Sequence, residues 1–259
     1  MRVLIALLTL ILCTPSALAA PLRVTTAPVR LPLVADETIL LDLTLHGAGQ
    51  DILSPKDLSL THTKYIHVLA IDPSLTDYHH LHPVYNTQTK TFRVDFTPET
   101  AGPYRIYVQA ARADGTALNA SVDVGGAFTV EDTSLLSGNT QAMVGGYHFF
   151  LLPQVGGTPA GHGLPLILQV MKDDHGVETL EPILGAFAHI VAFSLTDGAV
   201  AHTHPGGKEP TDDRARGGPQ LPFYLAPPPG AHRLAVFAQV KIDGQVITVP
   251  FVINIPHSI

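Results

Sequence analysis

One stretch of the chain occurs twice. His67-Val-Leu-Ala-Ile-Asp-Pro-Ser-Leu-Thr-Asp-Tyr-His-His80-Leu-His82-Pro83 returns as His189-Ile-Val-Ala-Phe-Ser-Leu-Thr-Asp-Gly-Ala-Val-Ala-His202-Thr-His204-Pro205. In both copies the second histidine follows the first by 13 positions, the third follows by 2 more, and a proline closes the motif. Histidine makes up 14 of 259 residues. Three prescribed positions would all be histidine by chance roughly once in several thousand trials, so the match reads as an internal duplication. A chain with this self-similarity is expected to fold as two copies of one unit, each with an imidazole constellation in the same place.

The segments around the motif read as strands. Residues 38–46 are rich in β-formers and partly alternate. Residues 91–97 alternate strictly, with Phe92, Val94 and Phe96 on one face. Residues 65–71 are a continuous apolar run, read as a buried strand, and residues 187–195 match it in register. Further strands are expected at 104–110, 128–130, 147–152, 164–171, 221–225, 233–240 and 246–253, with an extended arm or first strand within 20–34. Pro229-Gly230 is matched with Gly102-Pro103, and His232 is set where the first copy has Tyr104. No segment has a sustained helical period with caps, and 22 prolines and 22 glycines punctuate the chain. This pattern predicts an all-β fold of two tandem immunoglobulin/cupredoxin-like β-sandwich units after a signal peptide. The polar stretch 132–140 is the linker candidate, giving units at 20–132 and 133–259. Residues 206–220 form a long glycine-rich insertion just after the second histidine pair.

Residues 1–19 read as a secretory signal: Arg2, an apolar core from Val3 to Leu12, and the small-x-small pattern Ala17-Leu-Ala19. The run is too short to span a bilayer. Cys13 follows Leu12 rather than a small residue, which departs from a lipoprotein pattern. It is the single cysteine, so a processed chain has neither disulfides nor thiolate ligands and depends on apolar burial. The expected location is periplasmic or secreted. The formal charge is −7 and there is no basic run, which argues against nucleic acid and anionic membranes as partners.

The hairpin between the two arms of each motif brings its histidines together. A turn at 73–76 sets opposed residues to sum to 149, so His67 faces His82, and His80 shares that face by the period-2 alternation of a strand. The second copy sums to 393 with its turn at 195–198. Three imidazoles so placed suit Zn²⁺ or Cu²⁺ and not Ca²⁺ or Mg²⁺, which prefer oxygen. The expected metal ligands are His67, His80, His82, His189, His202 and His204. Asp72 or Asp77 is expected to add a ligand or to hold an imidazole from behind. His79 has no counterpart, because Ala201 stands there. His62, His148, His162 and His175 read as surface or auxiliary groups, and His232 as structural. No Gly-x-Ser-x-Gly elbow, phosphate loop or His-Glu-x-x-His helix is present. Asn119-Ala-Ser121 fits a glycosylation pattern, relevant only in a eukaryotic host.

The segment His62-Thr-Lys-Tyr-Ile-His67-Val-Leu-Ala-Ile with Asp77-Tyr-His-His80-Leu-His82-Pro83, Phe92 and Gly102-Pro-Tyr-Arg105 resembles a poorly characterised group of bacterial exported proteins. These carry a His-Leu-x-Val, Asp-x-x-His-x-His-Pro signature and a Gly-x-Tyr-Arg strand. Leu180-Glu-Pro182 and Leu184-Gly-Ala-Phe-Ala-His189 through Pro205 are similar to their second half. The resemblance implies a periplasmic or secreted β-sandwich, sometimes encoded with metal-handling functions, and no particular activity. Asp-Pro after the first strand and His79 depart from the pattern.

The expected function is an exported protein that binds copper, or alternatively zinc, for sequestration or delivery, with another exported metal-handling protein as partner. Two alternatives stay open. A three-histidine metalloenzyme would need an acid or base beside the ion, for which Asp77 and Asp197 are candidates. A non-catalytic interaction module would use the histidines structurally.

Overall fold

A computed structural model describes residues 22–255, apart from 28–31, 48, 50, 62, 135, 155–162 and 208. The signal segment with Cys13, and His62 and His162, lie outside the described residues. The first unit runs through β1 (Arg23–Thr26), β2 (Ile39–His46), β3 (Ile66–Ile71), β4 (Tyr78–Leu81), β5 (Val84–Asn86), β6 (Thr91–Phe96), β7 (Tyr104–Ala111) and β8 (Ala117–Val124). The second comprises β9 (Gln141–Val144), β10 (Tyr147–Pro153), β11 (Leu164–Lys172), β12 (His175–Gly176), β13 (Ala188–Ser194), β14 (Val200–Thr203), β15 (Gln220–Leu225), β16 (Arg233–Ile242) and β17 (Gln245–Asn254). Among the described residues no helix is long and apolar enough to cross a membrane.

Each unit is a sandwich of two antiparallel sheets. The first pairs β1-β2-β6-β5 with β4-β3-β7-β8; the second pairs β12-β11-β10-β9, joined by β15 on β11, with β14-β13-β16-β17. Alternation builds each interior. Leu41, Leu43 and Leu45 of β2 and Phe92, Val94 and Phe96 of β6 meet Val68, Ala70, Ile106 and Val108. In the second unit Phe149, Leu151, Leu166 and Leu168 meet Ile190, Ala192, Val236 and Ala238.

The continuous apolar runs have a further consequence. Every residue of β3 and of β13 is buried. Val68 and Ala70 face their own sandwich, whereas Leu69 and Ile71 enter a third core with Val191, Phe193, Ala235 and Phe237. The sheets β4-β3-β7-β8 and β14-β13-β16-β17 therefore pack face to face, and the molecule has four sheets in layers. Tyr78 of the first unit stacks on Phe237 of the second at 4.6 Å between ring centroids.

Two expectations are corrected. Residues 128–130 are not a strand; β8 closes the first unit, and Phe128 and Val130 instead cover the third core. Pairing also fixes the correspondence between copies. Ile71 lies opposite Arg105 and Phe193 opposite Ala235, a shift of 130 (235 − 105). The counterpart of Tyr104 is thus Leu234, not His232. The 132–140 stretch is tied down: Asn139 and Val252 exchange backbone hydrogen bonds at 2.7 and 2.9 Å, and Thr133 Oγ1 donates to the Leu195 carbonyl. Residues 206–219 are likewise anchored, with Leu180 and Gly217 exchanging backbone bonds at 3.1 and 3.0 Å.

Phe193 is fully buried between the units and its ring touches Tyr78, Tyr107 and Phe237. Phe193→Ala is expected to lower unfolding free energy by about 3–5 kcal/mol. Val84→Ala, at a position that is 74% exposed, should change it by less than about 0.5 kcal/mol. Urea denaturation compares them; equal small losses would mean that the third core does not join the units.

Candidate metal centre

The hairpin registers place the motif histidines as the residue sums predict. Leu69 lies opposite His80, and Val191 opposite His202, so the sums are 149 and 393. His67, Leu69 and Ile71 share one face of β3 with Tyr78 and His80, and that face is the one turned toward the other unit. The imidazoles consequently sit in the seam between units. His67 and His189 are 4% and 1% exposed.

Two tight groups of donors result among the described residues: His67, His80 and His82, and His189, His202 and His204, with the ligating atoms of each group within 4.8 Å of one another. Each group can hold a metal ion. The groups are also close to each other. His80 lies 5.4 Å from His202 and 5.6 Å from His189 between ring centroids, and His67 lies 5.9 Å from His202. Centroids within a triad are 4.6–5.8 Å apart. Six rings thus occupy one region.

The outward nitrogens fix the protonation pattern. His67 Nε2 lies 2.9 Å from the Thr61 carbonyl oxygen, which can only accept, so that nitrogen carries the proton. His189 Nε2 donates likewise to the Ile183 carbonyl at 2.9 Å. Both carbonyls lie just before the central strand, on residues that exchange backbone hydrogen bonds with the residue three on, Thr61 with Lys64 and Ile183 with Ala186. The middle histidine is held from the opposite unit. His80 Nδ1 donates to Gln239 Oε1 and His202 Nδ1 to Gln109 Oε1, both at 2.9 Å. Gln239 Nε2 donates onward to Thr248 Oγ1 at 3.1 Å, which fixes that amide. Gln109 lies opposite His67 and Gln239 opposite His189 in the ladders.

With those protons placed, neutral His67 Nδ1 and His80 Nε2 both present lone pairs, and they lie 3.2 Å apart. His82 Nε2 lies 3.3 Å from the same His67 Nδ1. Two lone pairs at that distance repel; a cation between them converts the repulsion to coordination. The corresponding atoms His189 Nδ1, His202 Nε2 and His204 Nε2 are buried, and His202 Nε2 has no hydrogen-bond partner among the described residues.

Charge is also disfavoured here. Burial, with the neighbouring His82 and His189, holds His80 down to about 2. Burial and His67 hold His82 down to about 4. His202 is pushed well below the ordinary histidine value by burial and then by His204 and His80. These three imidazoles stay neutral, the form that binds metal.

The carboxylates proposed from sequence serve other purposes. Asp72 Oδ1 accepts from the backbone of Thr76 and Asp77 at 3.0 and 2.9 Å, capping its own turn. Asp77 is buried; it holds His79 at 2.8 Å and accepts from the Glu99 backbone at 2.6 Å and from the Tyr104 hydroxyl. These partners lie on the sandwich side of the strand. His79 packs there on Phe96 and Tyr104 and is outside the triad. Asp197 accepts from the Ala199 backbone at 3.1 Å within its own turn. His148 and His175 are exposed. The residues that do hold the imidazoles from behind are Gln109, Gln239 and the Thr61 and Ile183 carbonyls.

A family model described as a domain of unknown function, DUF8832, matches residues 23–127 and again 142–257. The chain belongs to this family. The double match agrees with the two sandwiches and with the repeated motif. No curated protein matches. Solved structures that it is similar to include a tetra-tandem repeat from the extending region of a large adhesion protein, at 13% identity, TM-score 0.26, over 91% of this chain and 49% of that one. Others are bovine butyrophilin, at 13% identity, TM-score 0.24, over 92% and 100%, and a Salmonella alpha-2-macroglobulin mutant, at 11%, 0.23, over 90% and 15%. The chain spans about half the length of the adhesion-protein fragment. At these TM-scores the likenesses carry no argument about this chain.

The depressed histidine values predict a pH effect on the metal-free protein. In the unfolded chain each imidazole takes a proton below about 6.5, whereas in the fold His80, His82 and His202 do not. Stability is therefore complete above about 6.5 and falls as pH drops below it, by on the order of a few kcal/mol by pH 5. Thermal unfolding in chelator at pH 7.5 and 5 measures this; a melting temperature that does not fall would contradict the neutral, buried assignment.

Proposed function

We propose that this chain is an exported metal-binding protein that holds transition-metal ions, copper first and zinc second, at His67/His80/His82 and His189/His202/His204, for sequestration or delivery. One observation carries the reading: buried neutral imidazoles whose lone pairs converge, with their outward nitrogens already engaged by backbone carbonyls and by amides of the opposite unit. The inward nitrogens of each triad are gathered at ligand spacing.

The donor set supports the choice of metal. All-nitrogen ligation suits Cu²⁺ and Zn²⁺, and Cu²⁺ stands highest in affinity among the divalent first-row ions. The amino-terminal segment 1–19 supports export, with its charged start, apolar core and small-residue cleavage pattern. Delivery agrees better than catalysis with Asp77 and Asp197 being engaged away from the triads.

Calorimetry on the mature chain is expected to give binding of Cu²⁺ or Zn²⁺ at neutral pH with micromolar or tighter dissociation constants and up to one ion per triad. His67→Ala with His189→Ala should abolish it. Gln109→Leu and Gln239→Leu, which free the middle imidazoles, should each weaken metal affinity about 10–100-fold while leaving the chain folded. No heat of binding for either ion at neutral pH would refute the reading.

A further inference from the structure

The triads have the same ligands but different surroundings. A cavity of about 200 Å³ lies against two ligands of the second triad, His202 and His204, and one of the first, His67, with Gln109, Ala111, Ala117 and Asn119 of the first unit among its walls. The register explains why there is room. Ala111 pairs with Ala117, and Gln109 with Asn119. Under the shift of 130, the pair corresponding to Ala111 and Ala117 is Lys241 and Val246, and the pair corresponding to Gln109 and Asn119 is Gln239 and Thr248. Two methyl groups on the first unit thus stand where the second has a β-branched side chain and a lysine stem. That lysine is held to Glu181 at 3.3 Å, and Thr248 is held by Gln239.

A three-histidine site leaves a coordination position for an external ligand. Neutral imidazoles contribute no negative charge, so a divalent ion at His189, His202 and His204 keeps its full charge in a largely water-excluded seam, where attraction to an anion is strong. A volume of 200 Å³ corresponds to roughly six or seven waters at their liquid volume. It admits a ligand of a few heavy atoms.

We infer that the second triad is the ligand-exchanging member of the pair: its ion takes a small external anion, of the size of azide or a short carboxylate, through the cavity walled by Ala111 and Ala117. This rests on the metal-binding reading above and adds to it a division of labour between the copies. Neither the motif nor its spacing distinguishes the two triads; the difference comes from what faces each of them.

The test uses the full mature chain loaded with Co²⁺ and titrated with azide and then acetate, followed by visible absorption, with bound metal measured in parallel. The visible bands of the wild-type protein should shift saturably. His82→Ala, which leaves the second triad whole, should retain the shift, and His204→Ala should lose it. Ala111→Lys with Ala117→Val, which copies the other unit's pair, should keep the metal at the second triad while anion affinity falls at least tenfold. If that variant does not fold, Ala117→Leu alone serves, since Ala117 is exposed at the cavity rim. Metal-loaded wild-type protein that gives no shift, or a filled variant with unchanged anion affinity, would overturn the inference and leave the metal reading intact. Absence of Co²⁺ uptake in the wild type would end both.

Discussion

β3 and β13 each send side chains into two cores. Alternation puts Val68 and Ala70 into one sandwich and Leu69 and Ile71 against the other unit, and β13 does the same with Ile190 and Ala192 against Val191 and Phe193. Since neither face is wet, the histidine that begins each face inherits the burial of its strand. The seam between the units is therefore both the apolar contact that joins the sandwiches and the wall of the imidazole cluster. Displacing one would disturb the other.

Burial alone would make six imidazoles a liability, because unsatisfied polar atoms away from water are costly. The fold answers this on the outward nitrogens. Each first histidine uses a carbonyl from the turn that leads into its own strand. Each middle histidine uses a glutamine from the opposite unit. The two units consequently set the tautomers of each other's middle histidines, and a single sandwich would lack the glutamine that orients its own. This reciprocity gives the tandem arrangement a chemical reason beyond packing. It also explains why side chains near in sequence, such as Asp72 and Asp77, have no part in it: they lie at the end of the hairpin and serve its turn and the Tyr104–His79 cluster.

The repeat, the all-β class and the hairpin register were legible in the sequence because each rests on local pattern: a matched triple, period-2 alternation, and a turn that fixes which residues oppose. The partners of the imidazoles were not. Setting His232 against Tyr104 put the copies two residues out of step on that strand, which placed Gln109 beside Phe237 and concealed its likeness to Gln239. Insertion or loss of turn residues leaves the ladder undisturbed, so strand pairing is the sounder ruler. β8 was missed for another reason: its alternation, Leu118, Ala120, Val122 and Val124 against Asn119, Ser121 and Asp123, uses small side chains that contrast weakly. That the histidine faces of the two units meet is a long-range fact carried by no local signal; the continuous apolar runs at 66–71 and 188–194 marked those strands as buried without saying by what.

Anomalous diffraction from crystals of the mature protein grown with Cu²⁺ or Zn²⁺ and measured at that metal's absorption edge locates the ions directly. The account requires density at each triad, about 2.0–2.1 Å from His67 Nδ1, His80 Nε2 and His82 Nε2 and from their counterparts in the second unit. Rings turned so that their inward nitrogens bond to protein groups, with the metal signal only at surface histidines such as His148 or His175, would contradict it.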